Sequence, residues 1–119
     1  VQHLDAGEGI GYGSTYVTPE PMTIATIPVG YADGYPRSLS NRGTVLIQGT
    51  RCPVVGRICM DQFMVAVPDT ITVKPGDKVV LLGSQGHESI SALEIAALAS
   101  TIPYEIFCGF SDRVPRQYI

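Results

Sequence analysis

Short apolar runs rich in β-branched residues recur along this chain, and glycine, proline and aspartate punctuate them. Met22 to Pro28 carries Thr23, Ile24, Thr26 and Ile27, is bracketed by Pro21 and Pro28, and predicts a strand. Thr44 to Ile47 predicts a second, ended by Gln48-Gly49-Thr50, where Gly49 is a hairpin signal. Arg51 to Val55 would then return antiparallel, with Arg57 to Met60 continuing it past a bulge or close backbone approach at Gly56. Phe63 to Val67 reads as another strand, closed by Pro68-Asp69. Lys74-Pro75-Gly76-Asp77 reads as a turn ahead of a buried apolar strand over Lys78 to Leu82. One helix interrupts the strands. Ser91 and Glu94 fit a capping box, the Ser oxygen accepting from an early helix N–H and the Glu reaching back, so a helix should run from about Ala92 to Ala99 or Ser100. Tyr104 to Cys108 and Val114 to Tyr118 read as closing strands. The pattern predicts a mainly β, barrel-like domain of short antiparallel strands with one short helix at about 91–100.

A chain of 119 residues fits one domain, 1–119, able to bury a sizeable core. Thirteen Gly and nine Pro agree with many tight turns. A net charge of -3 without a long charge run argues against a nucleic-acid or acidic-membrane partner, which would call for a basic patch. No apolar segment is long enough to span a membrane. The first residues, VQHLDAGEG, lack the basic start and apolar stretch of a signal peptide. They also lack a starting Met, so the expectation is a piece cut from something longer. Cys52, Cys59 and Cys108 are odd in number and have no CxxC spacing, so neither a disulfide framework nor a metal site is expected. Three reduced, mostly buried thiols fit a cytoplasmic location.

Three glycine-bounded polar segments stand out against this background: Gly11-Tyr12-Gly13-Ser14-Thr15-Tyr16, Gly30-Tyr31-Ala32-Asp33-Gly34-Tyr35-Pro36-Arg37 and Gly56-Arg57-Ile58-Cys59-Met60-Asp61-Gln62. Flanking glycines let the backbone turn tightly and leave a tyrosine ring accessible, a freedom that a core tyrosine does not need. The three segments read as loops presenting Tyr12, Tyr31, Arg57, Met60 and Asp61 to a small ligand from a rigid sheet. Asp33 and Gly34 read first as a turn pair. His3 and His87 sit in no motif and are assigned to surface or turn positions.

The order GYGSTY, PVGYADGYPR, VGRICMDQFMV and YEIFCGFSDRVPR closely resembles the C-terminal domain of the alanine racemase family, pyridoxal-phosphate enzymes that interconvert L- and D-alanine. The resemblance covers nearly the whole chain, in order and with similar spacing. It implies a β domain that follows an eight-stranded α/β barrel, which is absent here. Racemisation removes the α-proton from one face and returns one to the other, with the cofactor as electron sink and an acid/base group on each face. The resemblance assigns the cofactor lysine to the barrel and the opposing tyrosine base to Tyr12. A free tyrosine has a pKa near ~10, so Tyr12 would need cationic or hydrogen-bond-donating neighbours that GYGSTY does not supply. The same resemblance places Tyr31 on the substrate pocket, the Met60 backbone N–H on the substrate carboxylate, and Asp61 at the pocket border. Arg37 and Arg57 fall on an access corridor, paired with acidic groups across a subunit interface. The alternative for these two is ordinary surface ion pairs. Arg113 and Arg116 read as structural. Asp112 departs from the family, several of whose members carry a tyrosine there that contacts the cofactor phosphate. A carboxylate would repel phosphate, so Asp112 either points away or marks a more polar pocket.

The two lysines, Lys74 and Lys78, lie at a turn, and no Gly-rich loop opens a helix. The isolated domain is therefore expected to be inactive and to bind no pyridoxal phosphate of its own. Its implied partners are its own N-terminal barrel, the opposite subunit of a head-to-tail homodimer, and a small amino acid. The implied role is D-alanine supply for bacterial peptidoglycan. Two alternatives remain at this point: a serine-preferring member of the family, raised by Asp112, and a non-catalytic β module that binds a ligand or partner.

Overall fold

The computed structural model describes residues 2–4, 7, 9–10, 16–17 and 21–99. Ten short strands and one helix occur among them: β1 (Gln2–Leu4), β2 (Gly9–Ile10), β3 (Tyr16–Val17), β4 (Met22–Ile27), β5 (Thr44–Ile47), β6 (Thr50–Val55), β7 (Phe63–Val67), β8 (Val79–Val80), β9 (Gly83–Gln85), β10 (Glu88–Ile90) and α1 (Ala92–Ala99). Six of the strands form one antiparallel sheet in the order β1-β4-β7-β6-β5-β8, curled as a half-barrel. Two small hairpins, β2–β3 and β9–β10, accompany it. The domain is mainly β with one short helix, as the residue pattern predicts.

Side-chain alternation explains how the sheet divides its faces. On one face Ala25 and Ile27 of β4, Cys52 and Val54 of β6, and Phe63, Val65 and Val67 of β7 enter the main core. Val45, Leu46 and Ile47 of β5 join them, and Tyr35 stacks on Phe63 at a centroid distance of 4.7 Å. On the other face Ile24, Val55 and Ala66 form a smaller cluster with Met22 and Met64. The helix adds Ala92, Ile95 and Ala96 to the main core.

The predicted hairpin is present in register. Ile47 opposes Thr50 across Gln48 and Gly49, whose φ values of 54° and 72° make the two-residue turn that matches strand twist. The Lys74–Asp77 turn is also present: the Asp77 N–H donates to the Lys74 carbonyl at 3.2 Å, and the Lys74 N–H to Asp77 Oδ2 at 3.0 Å.

Three expectations need correction. Arg57 to Met60 does not extend β6; Gly56 takes a φ of 79°, which turns the chain out of the sheet, and residues 57–60 are irregular. The strand expected over Lys78 to Leu82 is only Val79–Val80, because only Ile47 and Leu46 face it from β5. Ser91 caps the helix as expected, its Oγ accepting from the Glu94 N–H at 3.0 Å. The Glu94 carboxylate does not complete the box. It instead takes Arg51 of β6, at 2.8 Å and 3.1 Å, since a guanidinium is a stronger partner than a backbone amide. The strands expected over Tyr104 to Cys108 and Val114 to Tyr118 lie outside the described residues.

Among the described residues no helix is long and apolar enough to cross a membrane. Cys52 is buried and Cys59 half-buried, and both are free thiols; Cys108 lies outside the described residues. Burial pushes the Cys52 thiol up to about 11.

Candidate functional site

Two single-turn 3₁₀ segments follow β4, Tyr31–Asp33 and Arg37–Leu39; the backbone of the first, and Ser40 and Asn41 just after the second, bond to the irregular segment that leaves β6. The contact of the first is unusually close. The Tyr31 N–H donates to the Cys59 carbonyl and the Ala32 N–H to the Met60 carbonyl, each at 3.0 Å. Gly30 makes that approach possible: a Cβ there would stand 2.2 Å from the Cys59 oxygen and 2.4 Å from the Met60 carbonyl carbon and oxygen. Any side chain would force the two segments apart.

The two residues after the second segment hold the same loop from its other end. Asn41 Oδ1 accepts from the Gly56 N–H at 2.6 Å, and Ser40 Oγ accepts from the Ile58 N–H at 2.9 Å. The loop then closes on itself, the Cys59 N–H donating to the Gln62 carbonyl at 2.9 Å, so that Met60 and Asp61 form its tip. An irregular segment with no ladder of its own is thus fixed at Gly56, Ile58, Cys59 and Met60.

What this scaffold displays is exposed. Tyr31 is 45% and Met60 57% exposed, on two segments joined by the Tyr31–Cys59 and Ala32–Met60 backbone bonds. Arg37, Arg57 and Asp61 are exposed as well. The Arg37 guanidinium lies over the Tyr31 ring at 5.6 Å, within cation–π range. Among the described residues neither Arg37 nor Arg57 enters an ion pair, and none accepts from the Met60 N–H. The cluster therefore offers an anion a backbone donor at Met60 and a cation, Arg37, over an aromatic face, with the exposed Arg57 three residues before Met60 in the same loop.

Of the residues that the glycine-bounded loops are expected to present, Tyr31 lies in the turn bonded to the Cys59–Met60 segment, while Arg57 and Asp61 lie in the same loop as Met60; Arg37, singled out by the resemblance, lies over the Tyr31 ring. Tyr12 falls between β2 and β3 in the sequence, outside the described residues, as do Asp112, Arg113 and Arg116. His3 and His87 are exposed, His3 Nδ1 lying 2.8 Å from Thr23 Oγ1. The sequence reading passes over Arg51, which ties three elements together. Its Nε donates to Glu88 at 3.0 Å, its Nη2 to the Ser89 carbonyl at 2.8 Å, and its fork grips Glu94. The Arg51 hydrogen bonds hold the Glu94 carboxyl below its usual range. No local signal marks Arg51, because its partners are far along the chain. Tyr35 is fully buried, and burial, with the Glu94 charge, pushes its phenol above the usual range, so it is a core group. Among the described residues no cluster of His, Cys, Asp or Glu could hold a metal ion.

A curled antiparallel sheet that carries an exposed loop cluster at the end where β4 and β6 finish defines a mainly β domain. The alanine racemase C-terminal domain family matches residues 1–118, and the chain belongs to that family. An alanine racemase of Symbiobacterium thermophilum is 63% identical over 99% of this chain and 31% of its own length. Among solved structures, alanine racemase from E. faecalis superposes with a TM-score of 0.88 at 47% identity, over 99% of this chain and 31% of that one. The enzyme from Bartonella henselae, solved with covalently bound pyridoxal phosphate, superposes with a TM-score of 0.83 at 42% identity, over 99% and 32%. The chain spans about a third of the length of the curated relatives it matches.

Proposed function

We propose that this chain is the C-terminal part of a pyridoxal-phosphate-dependent alanine racemase that interconverts L- and D-alanine. The observation that carries the reading is the Met60 amide. It stands on an exposed tip without an acceptor among the described residues, in the loop that also carries Arg57 and that is bonded to the turn of Tyr31, over which Arg37 lies, in a chain of this family.

The division of labour follows from the residues present. Lys74 and Lys78 lie at the turn before β8, an edge strand of the sheet, and not in the Tyr31–Met60 cluster. A lysine for the cofactor is then expected outside this chain, while the cluster fits an anionic partner. When bound, pyridoxal phosphate supplies the electron sink that lets an α-proton leave. The Met60 N–H would hold the substrate carboxylate, and a backbone donor on a stapled loop needs no reorganisation to do so. The Tyr31 ring would wall the pocket, with Asp61 at its border. Arg37 and Arg57 would line the approach and draw in the anionic substrate. Tyr12 would exchange the proton on the face opposite the cofactor lysine, in the active site of the partner subunit of a head-to-tail homodimer. Taken alone, the domain would be inactive. The D-alanine formed would supply bacterial peptidoglycan, in the cytoplasm.

The test uses the full-length protein carrying pyridoxal phosphate. Exchange of L- into D-alanine is expected, and Tyr12→Phe should lower it by roughly 10²–10⁴-fold with the cofactor absorbance retained. Faster turnover of serine than of alanine would move the substrate assignment and turn attention to Asp112. No turnover of either, with cofactor bound, would overturn the reading and leave a binding module.

A further inference from the structure

Asp33 is the one buried charged or polar side chain among the core residues described, 8% exposed and two positions from the exposed Tyr31. Burying a carboxyl group is costly unless hydrogen bonds compensate it. One of the bonds that compensate it is local and points toward the site. Asp33 Oδ2 accepts from the Gly30 N–H at 3.2 Å, and the Asp33 N–H donates to the Gly30 carbonyl at 3.0 Å. These two bonds close residues 30–33 into one turn, finished by Gly34 at a φ of 100°. Gly30 is the residue wedged against the Cys59–Met60 peptide, and the next two amides donate to the Cys59 and Met60 carbonyls. The sequence of contacts runs from the Asp33 carboxyl to Gly30, and from Gly30, Tyr31 and Ala32 to the loop that exposes the Met60 N–H. Tyr31 belongs to the same turn.

We propose that Asp33 is a positioning residue: by fixing the turn at Gly30 it sets the Met60 amide and the Tyr31 ring relative to one another. It thereby governs how tightly the site holds a small carboxylate-bearing substrate. The proposal rests on the reading of Met60 and Tyr31 as substrate-side groups. A donor that binds the carboxylate in ground and transition states alike affects KM and leaves kcat in place.

The experiment compares Asp33→Ala and Asp33→Asn with the wild type in the full-length holoenzyme. Kinetics with L-alanine are combined with hydrogen exchange by mass spectrometry. Loss of the acceptor in Asp33→Ala should raise KM roughly tenfold, on the scale of one hydrogen bond to a charged group. The same variant should leave kcat within about threefold of wild type. Asp33→Asn keeps an acceptor oxygen and should restore KM to within about threefold. Exchange in residues 57–62 should accelerate in Asp33→Ala, while the hairpin at 44–55 stays protected. Should Asp33→Ala not accumulate, Asp33→Ser, with a shorter neutral acceptor, should give an intermediate KM and intermediate exchange. An unchanged KM, or unchanged exchange at 57–62, overturns the proposal. A wild-type protein that racemises nothing, yet loosens at 57–62 in Asp33→Ala, supports the coupling and overturns the racemase reading instead.

Discussion

Asn41 brackets Gly56 on both sides, its Oδ1 accepting from the Gly56 N–H at 2.6 Å and its own N–H donating to the Gly56 carbonyl at 3.2 Å. Asn41 holds this position at a φ of 59°, a left-handed conformation that asparagine tolerates better than most residues. Gly56 is where β6 ends and the loop to Met60 begins, so the bracket sets the direction in which Arg57 departs. Asn41→Ala loses the side-chain bond and adds backbone strain, and should cost about 2 kcal/mol of stability. Asn41→Gly relieves the strain and loses only the bond, at about 1 kcal/mol. Denaturant unfolding of the two variants against wild type separates the contributions. Equal losses would mean that the conformation carries no strain.

Gly30→Ala addresses the close approach itself. The φ of Gly30, -144°, suits any residue, so the effect is steric: the new methyl would sit 2.2 Å from the Cys59 oxygen. The neighbour is backbone and cannot rotate away. The turn and the loop must separate, at a cost of about 1–3 kcal/mol by the scale of overpacked cores. In the full-length enzyme the variant should fold, melt at a lower temperature, and bind alanine more weakly. A melting temperature and KM equal to wild type would show that the two segments part without consequence.

The Arg51–Glu94 pair gives a pH dependence. Hydrogen bonds from Arg51 hold the Glu94 carboxyl below its usual range, so the folded state binds its proton less readily than the unfolded state. The stability it contributes is fully present above the unfolded value of about 4.3 and is lost as pH falls through the lower folded value. Both side chains are partly exposed, at 40% and 32%, so the pair should be worth no more than about 1 kcal/mol. Glu94→Gln should therefore be less stable than wild type at pH 7, and the gap should close as the medium is acidified below about pH 4. Unfolding measured across pH 3 to 7 for both proteins checks this, and a gap that is constant with pH would rule the ion pair out as its source.

What was legible in the sequence was whatever short-range chemistry decides. Met22–Ile27, Thr44–Ile47 and Phe63–Val67 are bounded as their β-branched composition and flanking turn residues indicate, and Ser91 starts its helix. The loops that carry Tyr31, Arg57, Met60 and Asp61 on exposed positions were legible too, because glycines mark each of them. The strands β1, β2, β3, β9 and β10 span only two or three residues each and carry too little pattern to be read.

By itself the sequence determined the alternation that builds a two-faced sheet, the turns that connect it, and the loops that carry its polar chemistry. Each depends on residues a few positions apart, where backbone freedom and side-chain branching act directly. The tertiary structure decided which distant groups meet. Glu94 left its own helix cap for Arg51, forty-three residues away, because a charged fork outcompetes a local amide. Gly30 proved to be a point of contact with Cys59 and Met60, and Asp33 the buried carboxyl beside it. Those relationships exist only once β4 and β6 stand on either side of β7 and bring their loops to one end of the sheet, which no local propensity encodes.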